Sequence, residues 1–131
     1  MAVNFSESMT KENLMRAFAG ESQARNRYTI AAERADKEGM YTIAEIFRYT
    51  ADQERAHAER YYDLLKSLAG ETIHIDGTYP VDPRESLEAV LRAAEHNDHE
   101  EYADVYQAFG DTAREEGCLL YTSPSPRDGL L

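Results

Sequence analysis

Residues 50–61 read TADQERAHAERY, and the tetrad Glu54-Arg55-Ala56-His57 inside them decides how the chain is read. Glu-x-x-His puts a carboxylate and an imidazole on one face of a helix, three residues apart. That face is also the apolar one. Ile43, Ile46, Phe47, Thr50, Ala58, Tyr61, Leu64, Leu65 and Leu68 recur at three-and-four spacing with Glu54 and His57 among them, which predicts a helix over about residues 40–68. Ionisable groups set into a core-facing stripe are expensive to bury unless a partner of opposite charge compensates them.

The same pattern lies on both sides of this segment. Upstream, a helix is expected from an N-cap at Thr10 to about Lys37, stopped by Gly39, with the stripe Leu14, Ala17, Phe18, Glu21, Ala24, Arg25, Tyr28, Ala32 and Ala35. Downstream, residues 69–81 have no helical period and contain Gly70, Gly77 and Pro80, so they read as a long crossover. A third helix is expected to open at Asp82-Pro83-Arg84-Glu85 and to run to about Glu116. Its stripe is Leu87, Val90, Leu91, Ala94, Asp98, Glu101, Tyr102, Val105, Phe109 and Thr112. The fold class is therefore all-α, a bundle of three long helices.

Heights along the bundle bring the polar members of these stripes together. Glu21 lies 18 residues before Gly39 and Glu54 lies 15 after it, so in an antiparallel hairpin they stand ~27 Å and ~22 Å from the turn. Asp98 and Glu101 match Glu54 in height if the crossover makes the second and third helices parallel. Four carboxylates and an imidazole converging in a core call for cations, and carboxylate-bridged di-iron sites in helix bundles use the Glu-x-x-His pattern. The metal-ligand set expected from the residues is Glu21, Glu54, His57, Asp98 and Glu101.

Composition narrows the functional classes. With 25 Asp+Glu against 14 Lys+Arg, the net charge of −11 disfavours nucleic acid and anionic membranes and favours multivalent cations. Its 131 residues fit one core, and no apolar run is long enough for a membrane span. The N-terminus MAVNFSESMTKEN has no secretory pattern, so a cytoplasmic location is expected. The single cysteine, Cys118, excludes an intramolecular disulfide and a CxxC knuckle.

Several stretches resemble rubrerythrins in order and spacing: AFAGESQARNRY (residues 17–28), TADQERAHAERY (50–61), EYADVY (101–106) and AREEG (113–117). The similarity covers about residues 10–117 and implies a ferritin-like bundle with two iron ions cycling between Fe2+ and Fe3+. It implies reduction of hydrogen peroxide in oxidative-stress defence, with electrons from a rubredoxin-like partner protein and a homo-oligomeric assembly. Iron binding or storage with ferroxidase chemistry is the alternative. Family Glu residues at the positions of Glu21 and Glu54, and the His at His57, act at the iron site, as do carboxylates at the positions of Asp98 and Glu101. There His57 and Glu101 would exchange as ligands of one iron with redox state. Tyr28 and Tyr106 match family tyrosines near the metals and either bond ligand carboxylates or serve as core aromatics. His96 and His99 point away from the stripe, and His74 falls in the crossover.

The sequence departs from the family pattern in three ways. Asp98, one methylene shorter, stands where rubrerythrins usually have Glu, so either the metal geometry shifts or Glu95 takes part instead. No fourth helix with its Glu and His ligands follows Gly117, and no rubredoxin domain with paired cysteines is present. Residues 1–117 are read as an incomplete ferritin-like domain. Residues 118–131, CLLYTSPSPRDGLL, resemble no part of the family and are read as an irregular tail, a candidate read-through artefact. Three helices alone are expected to leave Phe18, Phe47, Leu64 and Val105 open to water unless another chain covers them.

Overall fold

A computed structural model describes residues 3–100 and 105–118, apart from the side chains of Asp98 and Glu100. The described residues are all-helical, in a ferritin-like arrangement. After a 3₁₀ turn at Phe5–Glu7 come α1 (Met9–Lys37), α2 (Tyr41–Asp63), a 3₁₀ turn at Lys66–Leu68, α3 (Leu87–Glu100) and α4 (Gln107–Glu115).

The α1/α2 hairpin is the frame on which the rest is built. Gly39 takes a φ of 76°, and behind it the N–H of Met40 donates to the Ala35 carbonyl at 2.8 Å while the N–H of Gly39 donates to Asp36 at 3.0 Å. This pair of bonds is a Schellman stop, as the glycine predicts. The helices then pack through small residues, Ala24, Ala31, Ala32 and Ala35 against Ala44 and Ala51, which allows close approach around Tyr28 and Phe47. Leu87, Val90 and Ala94 of α3 complete this cluster. A second apolar cluster joins Leu14 and Ala17 to Tyr61, Leu65, Leu68 and Tyr106. Glu21 falls between the two clusters on α1, and Glu54 does so on α2.

The crossover fixes the direction of α3. Arg16 of α1 pairs with Asp76 at 2.9 Å, Arg27 pairs with Asp82 at 2.9 Å, and Arg34 donates to the Arg84 carbonyl at 3.2 Å. The strap thus runs along α1 from its first turns to its last. Eighteen residues of helix from Arg16 to Arg34 span about 27 Å, and eight extended residues from Asp76 to Arg84 span roughly 26 Å. The lengths match, so α3 starts beside the end of α1 and runs parallel to α2, as the height comparison requires.

Several expectations are corrected. The N-cap of α1 is Ser8, whose hydroxyl accepts from the N–H of Lys11 at 3.1 Å, because the Thr10 hydroxyl is taken by Glu116. The α2 helix ends at Asp63, where Leu65 and Leu68 switch to bonds with residues three back, at 3.0 and 2.9 Å. The third helix begins at Leu87 rather than at Asp82: the Arg27 ion pair holds Asp82, and Ser86 takes the cap, its hydroxyl accepting from the N–H of Ala89 at 3.0 Å.

Residues 105 and 106 are π-helical, which inserts one residue into the helical count. Beyond that point the core face moves on by one. Tyr106, Gly110 and Ala113 are buried where the unbroken period gave Val105, Phe109 and Thr112, and Val105 is exposed. Phe47, expected to be open to water, is instead wholly enclosed, while Phe18 stacks on Tyr62 at 4.7 Å. No helix among the described residues is long and apolar enough to cross a membrane.

Candidate metal centre

Each helix of the hairpin contributes to the polar centre from the middle of its buried face. Glu21 has one apolar helical turn behind it at Ala17 and one ahead at Ala24, and Glu54 is framed likewise by Ala51 and Ala58. Both carboxylates are enclosed, with exposures of 0% and 3%. His57, one turn beyond Glu54, is the least buried of the three, its side chain 14% exposed.

The geometry brings these three residues together. One ligand atom from each of Glu21, Glu54 and His57 lies within 4.8 Å of the others. Nδ1 of His57 faces Oε2 of Glu21 at 3.5 Å, beyond a well-formed hydrogen bond. Among the described residues this buried nitrogen has no hydrogen-bond partner. Oxygen and nitrogen donors around a single transition-metal ion stand about 2.0–2.2 Å from it, and therefore at most about 4.4 Å apart. A contraction of a few tenths of an ångström would close these three side chains on one ion. Two carboxylates and an imidazole suit iron, manganese or zinc, and are too nitrogen-rich for calcium and too hard for copper(I).

Tyr106 orients one of the carboxylates. Its hydroxyl donates to Oε1 of Glu21 at 2.7 Å in a buried bond, which leaves Oε2 turned toward His57. The phenol ring is held by Tyr61 at 5.8 Å and Phe109 at 6.0 Å. Tyr28, the other tyrosine singled out in the sequence, stacks on Phe47 at 6.2 Å with the Arg27 guanidinium 5.5 Å over its ring. Arg25, one turn beyond Glu21, adds a cationic group to the same side of α1, and its buried Nε makes no hydrogen bond among the described residues.

A cleft of about 450 Å³ opens on the other side of Tyr106, lined by Gly20, Gln23 and Arg27 of α1, by Tyr79 and Pro80 of the strap, and by Asn97. Tyr106 itself forms part of its wall, whereas Glu21, Glu54 and His57 do not line it. Of the remaining sequence candidates, Glu95, His96, His99 and His74 are exposed and lie outside the cluster of Glu21, Glu54 and His57 found among the described residues. The side chain of Asp98 and all of Glu101 lie outside the described residues. The sequence reading did not identify the cleft, whose walls come from elements distant in the chain.

Comparison with known proteins places this chain in a family. The rubrerythrin family model matches residues 12–118. The chain is 47% identical over 110 residues to a rubrerythrin of Clostridium perfringens, covering 82% of this chain and 56% of that protein. It is 46% identical over 110 residues to a rubrerythrin of Porphyromonas gingivalis, covering 84% and 54% of the two chains. A rubrerythrin of Nitratidesulfovibrio vulgaris is 44% identical over 110 residues, covering 84% and 56%. The chain therefore spans just over half the length of these relatives. Together with the all-helical fold and the buried Glu21, Glu54 and His57, these matches establish that the chain belongs to the rubrerythrin family.

Proposed function

We propose that this chain carries part of a non-haem di-iron centre that reduces hydrogen peroxide in the cytoplasm, taking its electrons from a rubredoxin-like partner protein. The observation that supports this reading best is the cluster of Glu21, Glu54 and His57, buried between two apolar layers in a chain of the rubrerythrin family. Bound iron would supply the redox chemistry: two Fe2+ give up the two electrons that convert one hydrogen peroxide and two protons into two waters.

The chain's own residues do the rest. Glu21 and Glu54 bring negative charge to a place that water cannot screen, so cation binding there relieves their burial. His57 provides a nitrogen donor on the more open side of the cluster. Tyr106 holds Glu21 in one orientation, which limits the rearrangement that binding requires. Asp98 and Glu101 are proposed to complete the third-helix contribution, and a second copy of the chain is proposed to cover exposed apolar side chains such as Tyr62 and Val105.

Peroxide consumption with an added electron donor, compared with iron uptake, tests the reading. Sustained turnover with uptake levelling off at two irons per site supports a peroxidase. Uptake far past two irons with little peroxide consumed would replace it by iron storage.

A further inference from the structure

Among the described residues, two polar rungs join the antiparallel helices α1 and α4, and one of the two lies at the candidate metal centre. That one is the bond from Tyr106 to Glu21. The other is made by Glu116, the C-cap residue of α4, whose carboxylate closes over the first turn of α1. Its Oε2 accepts from the N–H of Met9 at 2.8 Å, and its Oε1 accepts from the N–H of Thr10 at 2.8 Å and from the Thr10 hydroxyl at 2.5 Å. The Glu116 carbonyl also accepts from the N–H of Val3 at 2.9 Å. A helix N-terminus has unused donors and positive potential, so a carboxylate docks there well.

The two rungs are in step. They lie 10 residues apart on the α4 side and 11 apart on α1, about 15 Å and 16.5 Å of helix. A slide of α4 by one helical turn, about 5.4 Å, would break both. Alanine and glycine, Ala113 and Gly110, form the buried face of α4. Small side chains of this kind interlock little, which leaves axial position to the hydrogen-bonded ends.

We infer that Glu116 is a positioning residue for the centre: by anchoring the far end of α4 on Met9 and Thr10, it sets the depth at which Tyr106 meets Glu21. Through that bond it governs which carboxylate oxygen of Glu21 faces His57. Only the consequence for metal binding rests on the function proposed above. The anchoring can be read without metal, so failure of the metal reading and failure of the ladder are separate results.

The experiment is carbon-13 NMR of the metal-free, full-length chain labelled at the tyrosine ring Cζ. The Tyr106 resonance is assigned by its loss in Tyr106→Phe. In Glu116→Ala this resonance is expected to shift, because the phenol loses its fixed bond to Glu21, while that of Tyr28 in the α1/α2 core stays in place. Thr10→Val removes only the hydroxyl from the rung, is milder, and is expected to shift Tyr106 in the same direction by less. It decides the matter if Glu116→Ala does not fold. An unmoved Tyr106 resonance in variants that have lost thermal stability would overturn the inference, leaving Glu116 as a helix cap alone.

Discussion

The hydroxyl of Tyr106 donates to Oε1 of Glu21 at 2.7 Å across the α1/α4 interface, and on the opposite side Oε2 of the same carboxylate faces Nδ1 of His57 at 3.5 Å. One buried acid is therefore fixed on one oxygen and presents the other to an imidazole. Enclosing this carboxylate within reach of that of Glu54 is costly unless an opposite charge compensates it. Stability and function then pull in opposite directions at this point.

That opposition can be measured. Glu54→Gln removes one buried negative charge from beside Glu21 while nearly keeping its shape. In the metal-free chain it is expected to raise unfolding stability by about 1–2 kcal/mol. Urea unfolding of the metal-free proteins checks this. A variant less stable than its parent would mean that the Glu54 charge is already compensated within the chain.

Glu116 gives a pH dependence of definite sign. Burial by itself would raise its carboxyl, but the Thr10 hydroxyl and the N–H groups of Met9 and Thr10 outweigh burial and hold it below the ordinary value of 4.5. The folded pKa is the lower one, so the stabilisation is complete above pH 4.5 and is lost as pH falls through the folded value. Thermal unfolding should find Glu116→Gln less stable than the parent at neutral pH. The gap should close in acid. A gap that persists unchanged to the most acid point at which both remain folded would show that charge is not what Glu116 contributes.

Gly39 serves as a control away from the centre. Its φ of 76° is unfavourable to a side chain, although an added Cβ would meet nothing within 4 Å. Gly39→Ala should therefore destabilise the chain by backbone strain alone, about 1 kcal/mol. Its measured urea midpoint should fall with little change in metal affinity, whereas an equal loss of affinity would imply that the hairpin turn shapes the site.

Most of the hairpin half of this structure was legible in the sequence, because Glu21, Glu54 and His57 lie on helices with an unbroken 3.6-residue period and a glycine that fixes their common turn. Position along α1 and α2 could then be converted directly into height. The third segment was less legible. Val105 with Phe109 and Tyr106 with Gly110 are equally spaced pairs, and the more apolar one was favoured. The π-helical stretch at residues 105 and 106 that selects the other pair leaves no period of its own. Two N-caps were misplaced for a related reason. Thr10 and Asp82 are good caps locally, but Glu116 and Arg27, far away in sequence, engage them instead. Long-range polar pairing of this kind has no local signature.

Glu54, with Glu21 and His57, is proposed to hold metal. The direct measurement is anaerobic Fe2+ binding, counted per chain, in this sequence joined to the part of its Clostridium perfringens relative that the match does not cover. The parent and His99→Gln, which alters an exposed imidazole, are predicted to bind two irons, and Glu54→Gln to lose that occupancy. Equal iron content in Glu54→Gln and His99→Gln would contradict the assignment.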